Sequence, residues 1–399
     1  MSKNVNRPRV LILLKHYTPA FRFGGPIRSV ANLIAELHDE FEFKVICLNR
    51  DFREASPLDG IEEGVWLGRD GAQVCYLDVS LVRPLRFVRA IRSVDFDIVY
   101  INSFFDPLFA TLPAILMKMR LLKQRPIVIA PRGEFSPGAL AFKSLKKSIF
   151  LRLQAVIDLY SGATWQATTA LEAEDIKRVL GDTARILEAP NLSAKTFPSQ
   201  SDRIAKASGY LKIAFISRIS SKKNLLGLIA AVGELRGRIA LDIWGPVDDA
   251  DYLGRCQKNM SLLKPNIVAT YRGEVPHEQV QSVLLNAHIF ALPTFGENYG
   301  HIIFEAFAAG CPVVISDKTP WRDLAEAGVG FDVALEDVDN LVQALQSFVD
   351  MDAEKYSAYA VRCQTYAMNR TSDEADVEAN KKLFSCSIGN RNRHCEIAR

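Results

Sequence analysis

Four charged residues stand where their types and spacing suit chemistry. Glu297 lies in Phe295-Gly296-Glu297-Asn298-Tyr299-Gly300, and Glu305 follows in a run otherwise made of Ile, Phe and Ala. A carboxylate amid that much apolar surface is costly unless something hydrogen-bonds it. Ligand hydroxyls serve well, because they donate without adding charge. Each glutamate also has a plainer reading, Glu297 as a helix cap and Glu305 as a solvated side chain. Together, with the glycines around them, they favour a site that holds a sugar and a ribose. Arg218 and Lys223 stand in Ser217-Arg218-Ile219-Ser220-Ser221-Lys222-Lys223-Asn224, directly after an apolar run. Two fixed cations there could neutralise a departing diphosphate, although Lys and Arg after a strand are commonly solvated. Lys222 is the weaker candidate for the same role.

The elements that must position these groups are legible around residues 289–316. Residues 289–292 form a short apolar run that predicts a buried strand, and 293–300 carry the punctuation of a loop. Residues 300–309 predict a helix apolar almost all round, stopped by Gly310, and 312–315 a second buried strand. Strand, loop, helix and strand in so short a span make a parallel βαβ unit. Ligands sit where the first strand hands over to the helix, whose N-terminal N–H groups suit phosphate.

The string Gly296-Glu297-Asn298-Tyr299-Gly300, then Glu305-Ala306 and Ala309-Gly310-Cys311-Pro312-Val313-Val314, resembles the paired-glutamate signature of retaining glycosyltransferases of family 4. Seven residues separate the glutamates, as in that family, and the four between Arg218 and Lys223 match its phosphate-binding pair. Gly24-Gly25-Pro26 resembles the family's glycine-rich first loop. Arg132-Gly133, the lysines after it and residues 167–176 resemble its N-terminal half. Thr319-Pro320-Trp321 resembles a subgroup acting in cell-surface polysaccharide assembly, with Trp321 either on the cleft rim or in the core. There is one departure. Many members carry a histidine in the N-terminal cleft; here histidines stand at 16, 38, 277, 288, 301 and 394. His16 alone fits, and a surface role suits it equally.

The resemblance implies an α/β, GT-B-like fold, two doubly wound Rossmann-like domains facing an interdomain cleft. It implies transfer of a hexose from a nucleotide sugar with retention at the anomeric carbon. Arg218, Lys223 and Glu297 would be catalytic, the cations stabilising the leaving nucleoside diphosphate and Glu297 holding sugar hydroxyls. Gly24, Gly25, Asn298, Tyr299, Gly300 and Glu305 would bind the donor, Glu305 through the ribose. His16, Asn102 and Arg132 are candidate acceptor-binding residues. No side chain is an obvious nucleophile, which suits same-face attack with the donor phosphate oxygen taking the acceptor's proton.

A chain of 399 residues exceeds one growing core, so two domains are expected. They are placed at 1–195 and 210–365, with polar residues 193–209 as linker, and the resemblance implies that the helices from about 365 pack back on the first. Further strands are expected at 9–14, 42–48, 97–102, 126–131, 186–191, 211–217, 239–244 and 266–271. Residues 50–71 read as loops or a small hairpin, and 388–399 as a disordered tail. Hydrophobic residues at 48% and charged at 24% are ordinary for a soluble globular protein. A net charge of +3 does not call for nucleic acid. Seven scattered cysteines, without metal-type spacing, predict reduced thiols and a cytoplasmic setting. The apolar run at 10–14 is too short for a signal peptide, and no stretch approaches a membrane span.

Asp95 and Asp97 flank the start of a strand, the wrong end for a site, and Asp248, Asp249 and Asp251 read as helix caps. No metal or other cofactor is therefore expected. Two basic amphipathic stretches bear on the acceptor. Arg83, Arg86, Arg89 and Arg92 recur among Leu85, Phe87, Val88 and Ile91; Lys143, Lys146, Lys147 and Arg152 interleave with Phe142, Leu145, Ile149, Phe150 and Leu151. Each reads either as a solvated face over the core or as a surface for an anionic membrane carrying a lipid-linked saccharide acceptor. The function expected is hexosyl transfer to a lipid-linked saccharide or growing surface polysaccharide, such as lipopolysaccharide, O-antigen or exopolysaccharide, on the inner face of the cytoplasmic membrane. The alternatives are a glucan or sucrose-type synthase or nucleotide-sugar epimerase with a soluble substrate, and a non-catalytic nucleotide-sugar-binding partner.

Overall fold

The computed structural model describes residues 7–141, 144–193, 197–199, 203–371 and 373–397. The chain divides into two units, Met1–Leu192 with Glu374–Arg399, and Ser193–Asp373.

In the first unit eight strands, β1 (Arg9–Leu13), β2 (Glu42–Leu48), β3 (Trp66–Arg69), β4 (Ala72–Leu77), β5 (Ile98–Asn102), β6 (Ile127–Ala130), β7 (Thr164–Ala167) and β8 (Arg185–Glu188), form one sheet. Their order is β3-β4-β2-β1-β5-β6-β7-β8. Only β3 runs antiparallel, closing a hairpin with β4; the other pairs are parallel. Helices α1 (Gly25–Leu37), α2 (Leu85–Arg92), α3 (Leu112–Lys118), α4 (Pro137–Ala141), α5 (Ser144–Val156) and α6 (Ala170–Leu180) connect them. The central strands are apolar on both faces because helices cover both. The loop after β1 enters α1 through Gly24, at φ 73°, with Pro26 in the first turn.

The second unit holds β9 (Tyr210–Ile216), β10 (Arg238–Trp244), β11 (Ile267–Gly273), β12 (Ile289–Leu292), β13 (Val313–Ser316) and β14 (Gly330–Val333). All are parallel, in the order β11-β10-β9-β12-β13-β14. Helices α7 (Leu225–Gly233), α8 (Ala250–Met260), α9 (His277–Leu285), α10 (His301–Ala308), α11 (Leu324–Ala327), α12 (Val338–Asp350) and α13 (Ala353–Thr371) alternate with the strands. The order reverses between β9 and β12, so a doubly wound sheet has its switch point there. Both units have this α/β plan.

Two expectations differ from the structure. The chain returns to the first unit as α14 (Glu374–Ile397), helical where a disordered tail was expected from residue 388. Leu383 and Phe384 are buried, Phe384 packing edge-on against Phe41, Phe43 and Tyr100. An anchored helix extends cheaply through a polar segment that contains no proline. The polar stretch 193–209, where described, is not slack either. Arg203 donates to Ala309 O at 2.8 Å and Ala287 O at 2.7 Å, and to Tyr356 Oη at 2.5 Å. It thereby serves carbonyls that the ends of α9 and α10 leave unpaired. Lys206, buried, donates to Val349 O in the last turn of α12 and to Met351 O just beyond it. Polar composition looked like a linker because it hides side chains that hydrogen-bond helix ends. Among the described residues no helix is long and apolar enough to cross a membrane.

Candidate functional site

Two loops leave the second sheet at its switch point, one after β9 and one after β12, and they are stitched together. Phe295 N–H donates to Lys222 O at 2.8 Å, and Thr294 Oγ1 lies 3.2 Å from the same carbonyl. The loop after β12 is held from its other side by Glu297 N–H on Lys318 O at 3.0 Å. Lys223, in a short 3-10 turn ended by left-handed Asn224, is thus brought against Glu297, and the two side chains form an ion pair. Glu297 does not cap the helix; Gly300 stands at that position, with φ 80°.

Arg218 is set by a second stitch. Ile219 N–H donates to Pro246 O at 2.9 Å, and Asp248 N–H returns to Ile219 O at 3.1 Å. Gly245 permits this approach: a Cβ there would lie 1.9 Å from Ser217 O. Arg218 Nη1 then sits 3.2 Å from Asp248 Oδ2. Asp248 is therefore not a helix cap as expected from sequence. Asp249 is, accepting from Tyr252 N–H at 2.9 Å, because the tighter loop turns its neighbour back towards Arg218.

The electrostatics follow from this crowding. Burial works to raise the Glu297 pKa, but Lys223, Lys222 and Arg218 outweigh it and hold the carboxyl below its ordinary range. Burial, with Lys223 beside it, pushes the Lys222 amine down. Three cations face two carboxylates, which leaves an excess of positive charge at strand ends, in a place where a diphosphate can replace a carboxylate partner.

Glu305 lies on α10, half-buried, with its carboxylate 3.9 Å from His277 Nδ1 at the start of α9. Tyr299 is held on two sides: Trp321 Nε1–H donates to Tyr299 O at 2.6 Å, and the Tyr299 ring lies tilted against that of His301, centroids 4.7 Å apart. Trp321 is buried, a core residue rather than a rim one. Asn298, Tyr299 and Gly300 form the turn between Glu297 and α10. Sequence reasoning missed Asp248 as a partner of Arg218, His277 beside Glu305, and Phe295, exposed in the loop whose backbone bonds Lys222 O. A pairing across loops leaves no spacing to read, though an exposed phenylalanine next to Gly296-Glu297 was visible.

In the first unit the proposed acceptor residues follow β1, β5 and β6. Arg132 donates to Asn102 Oδ1 at 2.9 and 3.2 Å, to Tyr100 Oη at 2.7 Å and to Asn191. The Asn102 Nδ2 is buried without a hydrogen-bond partner among the described residues. His16 is not at the surface: it is buried, Nδ1 2.9 Å from Arg50 O, between the rings of Phe23 and Phe52. That burial lowers its pKa. Gly24 and Gly25 open α1, and space around Gly24 is open to a distance of 4 Å in the direction of a side chain. Asp97 is taken by Arg9, and Asp95 by Lys123. Among the described residues no group of three or more His, Cys, Asp or Glu side chains is placed to hold a metal ion.

Cations and carboxylates are thus gathered at the switch point of a doubly wound sheet, the place where ligands bind in folds of this plan. Residues 197–367, which lie within the second unit, match the family model described as "Glycosyl transferases group 1". No curated protein matches the chain by sequence. Among solved structures, Anabaena Alr3699/HepE in complex with UDP-glucose is similar at 15% identity, with 95% of this chain and 98% of that one covered and a TM-score of 0.66. Sucrose-phosphate synthase from Thermosynechococcus elongatus is similar at 16% identity, with 98% and 100% covered and a TM-score of 0.63. WaaG, a glycosyltransferase involved in lipopolysaccharide biosynthesis, is similar at 14% identity, with 94% and 98% covered and a TM-score of 0.61. The fold is that of a two-domain, GT-B-like glycosyltransferase.

Proposed function

We propose that the protein is a retaining hexosyltransferase that moves a sugar from a nucleotide-sugar donor to a lipid-linked saccharide or a growing surface polysaccharide. The observation that carries this reading is the meeting of Arg218, Lys222 and Lys223 around Glu297 at the switch point of the second sheet. Arg218 and Lys223 neutralise the diphosphate as the anomeric C–O bond breaks and its electron pair passes to phosphate oxygen. Glu297, released from Lys223 by the incoming phosphates, accepts from donor-sugar hydroxyls. Glu305 accepts from the ribose hydroxyls, and the turn at Asn298–Gly300 offers backbone N–H groups. The acceptor oxygen attacks on the face the diphosphate leaves, and a donor phosphate oxygen takes its proton. Cations of the chain do the work of a metal, so turnover is independent of divalent ions.

HepE binds UDP-glucose, which makes a uridine diphosphate hexose the first donor to try. WaaG acts in lipopolysaccharide biosynthesis, which supports a cell-surface acceptor. The test is a panel of nucleotide sugars, read by nucleoside diphosphate release, with the product's anomeric configuration determined by NMR. An α-glycoside from an α-linked donor, unchanged by a chelator, is expected. An inverted product removes the mechanism, an epimer or a soluble disaccharide removes the acceptor class, and no release from any donor leaves only a binding role.

A further inference from the structure

Helix α5 is built inside out. Its inward positions, Lys147, Phe150, Leu151 and Gln154, are half-buried at helical spacing. Lys147 donates to Ala139 O at 2.5 Å and lies over the Phe105 ring. Its outward positions are the apolar ones: Leu145, Ile149, Leu153 and Val156 are between 57% and 83% exposed. Spaced by four, four and three residues, they form one stripe on the order of 17 Å long. A helix that merely covers a core points such a stripe the other way. The other basic stretch does so, since on α2 Phe87 and Ile91 are buried and Arg86 pairs with Glu63 at 2.6 Å. Phe142 and Lys143 of the sequence reading lie outside the described residues.

The charge on the helix itself has one sign. Lys146 and Arg152 are exposed beside it, and Ser144–Val156 contains no carboxylate. Lys118 Nζ donates to Asp158 O at 2.7 Å, which sets the end of α3 against the end of α5 and brings exposed Met119 and Ile157 to the same edge. Residues 118–158 hold nine Lys and Arg against two acidic residues, Glu134 and Asp158. The Glu134 carboxylate is turned inward, accepting from the N–H groups of Phe104 and Phe105 and from Ser103.

We propose that this face of α5 docks on an anionic lipid surface. The stripe enters the boundary between headgroups and acyl chains, and Lys146 and Arg152 reach back to lipid phosphates. A second copy of the chain is the poorer occupant, because a two-fold contact sets these cations beside their own copies. The inference deepens the reading of the acceptor as lipid-linked and rests on it for its purpose, while the binding itself is independent of catalysis.

The full chain should float with vesicles of phosphatidylcholine mixed with phosphatidylglycerol, and not with phosphatidylcholine alone, and salt should weaken the association. The double variant Ile149→Asp, Leu153→Asp should lower partitioning more than tenfold, and the milder Ile149→Gln, Leu153→Gln should lower it less. Lys146→Gln and Arg152→Gln should each cost about fivefold. The rise in melting temperature on adding a nucleoside diphosphate should be the same in all of them, so a failure of docking is separable from a failure of the transferase reading. Absence of flotation with anionic vesicles, or flotation indifferent to the apolar substitutions, overturns the proposal. So does a dimer in sedimentation equilibrium, without lipid, that the same substitutions dissociate.

Discussion

Lys223 helps to hold Glu297 in its charged form where neither side chain is well solvated, so removing the lysine acts on the glutamate. With Lys223→Met the burial that now loses to the cations gains ground, and the Glu297 pKa rises from its depressed position. Loss of one stabiliser of the leaving group should lower kcat/KM by about 10²–10³, unrestored by added divalent metal. Unchanged diphosphate release would remove Lys223 from the reaction. Asp248 acts at one remove, by holding Arg218 in the stitched loop. Asp248→Asn should keep the melting temperature while lowering kcat/KM roughly tenfold through misplacement of Arg218. An effect on stability alone would make the pair structural. Neither partner of these pairs was legible as a pair: residue types and the spacing within each loop were, but Lys223 and Glu297 stand 74 positions apart.

At the scale of elements, the turn into α10 depends on Gly300. A Cβ at its left-handed φ of 80° would lie 2.7 Å from Ile303 Cδ1 and 3.1 Å from Glu297 Cγ. Gly300→Ala should therefore cost about 1–2 kcal/mol in chemical denaturation and also disturb Glu297. Wild-type stability would show that the turn relaxes freely. Arg203 anchors the far end of the same helix, so Arg203→Met should strand several carbonyls and cost about 2–4 kcal/mol. Strands with four consecutive apolar residues, Val45–Leu48 within Glu42–Leu48 and all of Ile289–Leu292, were readable at their observed bounds. β4, β7 and β14 were not, because Gln73, Gln166 and Asp332 break the apolar pattern in short strands. Their pairing partners decide them.

For the molecule as a whole, acid should find the second unit at His288. It is fully buried, accepting from Lys212 N–H at 2.9 Å on Nδ1 and placing Nε2 3.0 Å from Ala205 O, so the neutral ring is the one that fits. Burial first, with Lys206, Arg203 and Lys212 around it, lowers its pKa to about 4 from 6.5. The unfolded chain takes up a proton below 6.5 and the folded one does not. The stabilisation is complete above that pH and is lost as pH falls to about 4, about 3 kcal/mol in all. A flat melting temperature across that window, or the same slope in His288→Gln, would contradict this. By itself the sequence determined the α/β alternation, the two sheets and the glycine-rich turns that end their strands, since periodicity and backbone freedom are local properties. Only the tertiary structure decided which charge faces which, that a polar stretch locks helix ends, and that α5 turns its apolar side outward. Those outcomes depend on contacts between residues far apart in the chain, and local patterns carry no record of them.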